Sequence, residues 1–137
     1  MHKALQYLGL ARKSGSIELG EDQTKALVKA GKARLVLLAA DASEGVTKRV
    51  NGYVYGFRAP VVRLPFDSSE LGGALGRAKC SAAAISDLGL AVALTAALAE
   101  GSDGGDSYAE VAGELAEKQA RIKARRTAKP GKRRKSE

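Results

Sequence analysis

The sequence predicts a layered α/β domain, a sheet sandwiched between helices, with a basic tail behind it. Three observations carry this. Helical and extended patterns alternate across residues 1–100 in the order α-β-α-β-α-β-α-β-α, which implies helices on both faces of a sheet and parallel pairs wherever a helix crosses over. Leu35-Val36-Leu37-Leu38-Ala39-Ala40 is an unbroken apolar run, as expected of a strand covered on both faces. From Lys118 to Glu137 there are ten Lys or Arg and one acid, and the last stretch, Ala128 to Glu137, is a basic low-complexity end that cannot bury apolar area.

Each element has its own signal. Leu5, Leu8 and Ala11, with Ala4 beside them, line one face of a first helix that carries Arg12 and Lys13 in its last turn and ends at Gly15. Ser16 to Leu19 is a short strand. Gly20-Glu21-Asp22 opens the second helix, where acids suit the positive dipole end. Its predicted apolar stripe is Ala26, Leu27 and Ala30, with Lys25, Lys29 and Lys32 toward water and a stop at Gly31. After the central strand, Asp41 and Ser43 fit a strand end and an N-cap. Val46, Val50, Tyr53 and Phe57 then recur at helical spacing. Gly45, Gly52 and Gly56 each cost that helix about 1 kcal/mol relative to Ala, so fraying is expected near Asn51-Gly52.

Pro60 and Pro65 bracket a strand at Val61–Leu64. Asp67 and Glu70 form a capping box that opens a helix over Ser68–Leu75, which Gly76 stops. Ser81 to Ile85 is the last strand, although its alanines suit a helix equally well. Asp87 caps a final helix that buries Leu90, Ala91, Leu94, Ala97 and Leu98. Beyond this 1–100 domain, residues 101–107 have the composition of a flexible linker. Residues 108–137 form an acidic-then-basic tail that is helical in part or disordered, with Glu114–Lys118 and Glu117–Arg121 available as i,i+4 pairs.

Composition narrows the function. The chain has 137 residues, 4% aromatics and a net charge of +8, so the core is aliphatic and the partner is expected to be nucleic acid or another polyanion. A single cysteine, Cys80, excludes an internal disulfide, and a single histidine, His2, leaves few candidates for a catalytic pair. No phosphate-binding G-x-x-x-x-G-K-[ST] loop appears, and Leu71-Gly72-Gly73-Ala74-Leu75-Gly76 reads as close packing of a short helix on the sheet. The expectation is no enzyme, no metal and no cofactor. No apolar run approaches the ~18 residues of a membrane span, and the start lacks a secretory signal, so a cytoplasmic protein is expected. Lys25, one turn into the second helix, and Lys48 and Arg49, just beyond the central strand, are placed to meet a ligand at strand ends.

The run Gly20–Ala26, then Gly31–Ser43, Pro60-Val61-Val62 and Glu70–Gly76 resembles the ribosomal L-seven-Ae superfamily of kink-turn RNA-binding proteins, and most of all its bacterial YlxQ-like branch. The resemblance covers residues 3–98. It implies a three-layer α/β/α sandwich with a four-stranded mixed sheet. It also implies an RNA site at Gly20, Glu21, Asp22 and Lys25, where the family uses Asn-Glu-x-x-Lys on sheared G·A pairs. Ser43 and Thr47 stand where other members contact RNA, and Arg77, Ala78 and Lys79 form the loop that holds a flipped-out nucleotide. Glu21 and Asp22 replace the family's Asn and Glu. A carboxylate only accepts hydrogen bonds and brings negative charge toward phosphates, so kink-turn binding is expected to be weaker or retuned.

The expected function is binding of kink-turn or ribosomal RNA by a monomer, with the ribosome as a possible partner and no membrane. A tail that neutralises even five phosphates would make log affinity fall by about four per decade of salt. The alternative is a protein-interaction module on the same fold, as in the superfamily's growth-arrest branch, whose RNA affinity comes from the tail alone.

Overall fold

The computed structural model describes residues 3–101 and 105–128. In chain order these form α1 (Lys3–Ser14), β1 (Ile17–Leu19), α2 (Glu21–Lys29), β2 (Leu35–Leu38), α3 (Glu44–Val54), β3 (Val61–Arg63), α4 (Ser68–Leu75), β4 (Ala82–Ile85), α5 (Leu88–Gly101) and α6 (Gly105–Ala128). The four strands make one mixed sheet in the order β1-β4-β2-β3. β4 runs antiparallel to both neighbours, pairing Glu18 with Ala84 and Leu37 with Ala83, while β2 and β3 are parallel with Leu37 opposite Val62.

Two-sided burial of the inner strands creates the three layers. Leu35 and Leu37 of β2, with Ala83 and Ile85 of β4, face a core shared with α1, α4, α5 and α6. Val36 and Leu38, with Ala82 and Ala84, face a smaller core closed by Val28 of α2 and by Val50 and Tyr53 of α3. Both strands are buried along their whole length. The alanine-rich β4 is therefore a strand because it sits between β1 and β2, where small side chains let helices approach on either face.

Several faces differ from expectation. In α2 the buried residues are Thr24 and Val28, while Ala26 and Ala30 are exposed and Leu27 is half-buried. The sheet-facing stripe runs through a threonine at i,i+4 from a valine, and a polarity count passes over it. In α1, Ala4 is buried and Leu5 only partly so. α3 does not fray at Asn51-Gly52 but runs on to Val54, because buried Val50 and Tyr53 anchor it on both sides of Gly52. Asp67 and Glu70 make both bonds of the expected capping box, and Gly76 ends α4 at φ 75°.

α6 begins at Gly105, inside the stretch read as linker, and residues 102–104 and 129–137 lie outside the described residues. It packs along α5, burying Tyr108 and Leu115 in the larger core, and the Tyr108 hydroxyl donates to the Arg63 carbonyl. α5 is apolar on all sides because the sheet covers one of its flanks and α6 another.

Candidate nucleic-acid interface

The strand directions bring separate loops to one end of the sheet. The C-terminal ends of β1, β2 and β3 and the N-terminal end of β4 lie together there, so Gly20, Asp41, Leu64 and Ser81 belong to one rim. Gly20 sits where β1 becomes α2. Its φ of 94° is one that side-chain-bearing residues rarely adopt, and its N–H donates to the Ala82 carbonyl at 2.8 Å. No side chain caps α2, so its first N–H groups face outward beside Glu21 and Asp22.

The loop after α4 reaches the same place. An Arg77 guanidinium nitrogen lies 3.8 Å from where a side chain on Gly20 would begin. The loop is held down on α4 through Gly72: a Cβ there would come within 2.8 Å of the Lys79 Cα and 2.9 Å of the Arg77 carbonyl oxygen. Of the glycines in Leu71–Gly76, Gly72 alone serves close packing, and against the Arg77–Lys79 loop where the sequence suggested the sheet; a Cβ on Gly73 or Gly76 would meet nothing within 4 Å. Arg77, Ala78 and Lys79 are all exposed. The Ser68 carbonyl accepts from Cys80 N, and Asp41 accepts from Ser68 N at 2.8 Å and Ser68 Oγ at 3.1 Å. Asp41 therefore ties the β2–α3 loop to the start of α4. These bonds, the one from Ser68 N foremost, hold its carboxyl below the usual aspartate range, with Lys79 adding a smaller attraction.

On the flank of the rim, Glu21, Asp22, Lys25, Lys29, Arg49 and Tyr53 line a shallow groove between α2 and α3. Arg49 grips Glu21 with two bonds, Nε to Oε2 at 2.7 Å and Nη2 to Oε1 at 3.0 Å. That grip, chiefly its hydrogen bonds, lowers the Glu21 pKa against the opposing effect of burial. It also offsets the negative charge of Glu21 and spends much of its accepting capacity on Arg49. The Tyr53 phenol is pushed up to about 12, mainly by burial, and its hydroxyl and that of Thr24 are buried without a partner.

Ser43 is the N-cap of α3, its Oγ accepting from Val46 N at 3.1 Å. Thr47 Oγ1 donates to the Ser43 carbonyl and accepts from Arg63, whose guanidinium also donates to the carbonyls of Ala39, Ala40 and Ala42. The structure thus joins Gly20 to Arg77, groups Glu21, Asp22 and Lys25 around Arg49, and links Ser43 to Thr47. Sequence reasoning read Asp41 only as a strand end and Gly72 only as helix packing, and gave Arg63 no role, whereas all three engage partners far along the chain. Arg49 was legible only as a cation near a strand end. Among the described residues, no group of three or more His, Cys, Asp or Glu is placed to hold a metal ion, and no helix is long and apolar enough to cross a membrane.

The fold and its rim define a three-layer α/β/α domain with loops gathered at one sheet end. The chain belongs to the ribosomal protein L7Ae/L30e/S12e/Gadd45 family, whose model matches residues 2–94. It is 33% identical over 75 residues to the RNA-binding protein YlxQ of Enterococcus faecium, covering 55% of this chain and 72% of that one, in keeping with the expected branch. It is 31% identical over 77 residues to the large ribosomal subunit protein eL30 of Methanopyrus kandleri, covering 56% of this chain and 71% of that one. Among solved structures, a Bacillus halodurans protein of unknown function superposes with a TM-score of 0.67 at 28% identity, over 72% of this chain and 98% of its own. The 15.5 kD RNA-binding protein of Giardia lamblia shares the fold, with a TM-score of 0.55 at 20% identity over 82% of this chain and 84% of its own.

Proposed function

We propose that this chain binds kink-turn or similarly bent structured RNA, in association with the ribosome, through Gly20, Glu21, Asp22, Lys25, Ser43, Thr47, Arg77, Ala78 and Lys79. The observation that carries this reading is the packing of the Arg77 guanidinium against Gly20, which sets the α4–β4 loop beside the uncapped start of α2. Family membership and the resemblance to YlxQ and eL30 support it.

In this reading Lys25, Arg77 and Lys79 supply phosphate attraction. Outward N–H groups at Glu21 and Asp22 and the carboxylate of Asp22 meet base edges, with guanine N–H groups as donors to the carboxylate. Arg49 screens Glu21, so the groove presents a neutral pair where the family's asparagine would stand.

The test is titration of the full chain with a kink-turn RNA and with a variant lacking its G·A pairs. Tighter binding of the kink-turn at moderate salt is expected, and Lys25→Ala should narrow that difference. Equal affinity for the two RNAs rejects the reading.

A further inference from the structure

The opposite end of the sheet carries a second cluster of cations that the rim does not use. The N-terminal ends of β2 and β3 and the C-terminal end of β4 lie there, about 13 Å away along the four residues of β2. Arg34 precedes β2, and Arg58 lies in the loop between α3 and β3. Arg34, Arg58 and Lys118 of α6 share one small hollow with Phe57. Arg58, Lys118 and Arg121 line the adjoining one with Glu114 and Glu117.

Among the described residues, none of these four cations is within ion-pair distance of a carboxylate. Lys118 and Arg121 each have a glutamate one helical turn earlier, the expected i,i+4 partners, and neither pair forms. Instead they converge with Arg34 and Arg58. Burial, and then the nearby Arg34, Arg58 and Arg121, lower the Lys118 pKa, as in a site short of counter-charge. The same loop exposes two aromatics, Tyr55 at 88% and Phe57 at 38%, and Lys29 Nζ lies 5.9 Å from the Phe57 ring centroid.

We infer that the α3–β3 loop and α6 form a second RNA-binding surface, in which Arg34, Arg58, Lys118 and Arg121 take the phosphates of an unpaired strand and Phe57 offers a base a stacking face. Converging unpaired cations beside an exposed aromatic match single-stranded nucleic acid, where a basic track and a ring act together. Arg34 and Arg58 fall within the family match at residues 2–94, whereas Lys118 and Arg121 come from the helix beyond it. α6 thus completes a site that the family domain alone holds in half. The inference rests on the RNA-binding reading above but uses the other end of the sheet.

The experiment uses the full chain, a short uridine homopolymer and the kink-turn RNA. Arg58→Gln with Arg121→Gln, and separately Phe57→Ala, should each weaken homopolymer binding about tenfold. The double variant should also flatten the salt dependence by about one unit of slope. Both should leave the kink-turn preference for G·A pairs intact, whereas Lys25→Ala does the reverse. Arg58→Glu with Arg121→Glu should deepen the loss, and an unchanged melting temperature verifies the fold. Homopolymer binding unchanged in the charge variants overturns the inference and leaves the rim reading standing. Loss of tripolyphosphate binding without loss of homopolymer binding also overturns it, in favour of a small-anion site. Wild-type protein that binds neither RNA removes both readings.

Discussion

At the scale of single residues, the placement of the Arg77–Lys79 loop depends on a position that carries no charge. Gly72 has no room for a methyl group, because the backbone of Arg77 and Lys79 lies within 3 Å of where it would be. Gly72→Ala must therefore push the loop outward or bend α4. Overpacking of this kind costs roughly 1–3 kcal/mol, so a lower melting temperature is expected. A larger effect is expected on RNA affinity than from Gly73→Ala, whose added methyl meets nothing within 4 Å. Comparing the two variants by thermal melting and RNA titration checks both. Arg49 acts in the same indirect way, taking both Glu21 oxygens although its own side chain is 60% exposed.

At the scale of elements, the junction between the β2–α3 loop and α4 is held through a charged group. Asp41 ties the β2–α3 loop to α4 through Ser68, and its carboxyl is held below its ordinary value of 3.8. A carboxyl depressed in the folded state binds its proton more weakly there than in the unfolded chain. Its contribution is thus fully present above about pH 4 and is lost as pH falls through the lower, folded value. Wild type and Asp41→Asn should differ in stability at neutral pH, and the gap should close in acid. Denaturant unfolding at several pH values measures it, and a gap independent of pH would show that the Ser68 bonds contribute no charge-dependent stability.

At the scale of the whole molecule, α6 is part of the fold. Leu115 is only 3% exposed and Tyr108 reaches across to Arg63. Leu115→Ala should cost about 2–5 kcal/mol, and its melting temperature should fall accordingly. A helix merely trailing from the domain would show no change. Much of this architecture was legible from the chain. The two-sided run at Leu35–Leu38, the Asp67–Glu70 box and the glycine stops are local signals, and they appear where expected. What escaped was long-range. Thr24 is a core residue only because α2 turns that face to the sheet, and residues 108–125 show a thin apolar face because α5 needs only that much cover. The rim was inferable as strand ends, but the near-contact of Arg77 with Gly20 depends on sheet order, which no spacing in the chain encodes.

Thr47 shows what such fixed wiring implies for selectivity. A hydroxyl has one proton to give and two lone pairs to receive with. Thr47 gives its proton to the Ser43 carbonyl and spends one lone pair on Arg63. The remaining lone pair repels a phosphate oxygen and welcomes a sugar hydroxyl or an exocyclic amine. Where Thr47 meets the sugar edge of a polynucleotide without breaking its own bonds, it therefore favours ribose over deoxyribose.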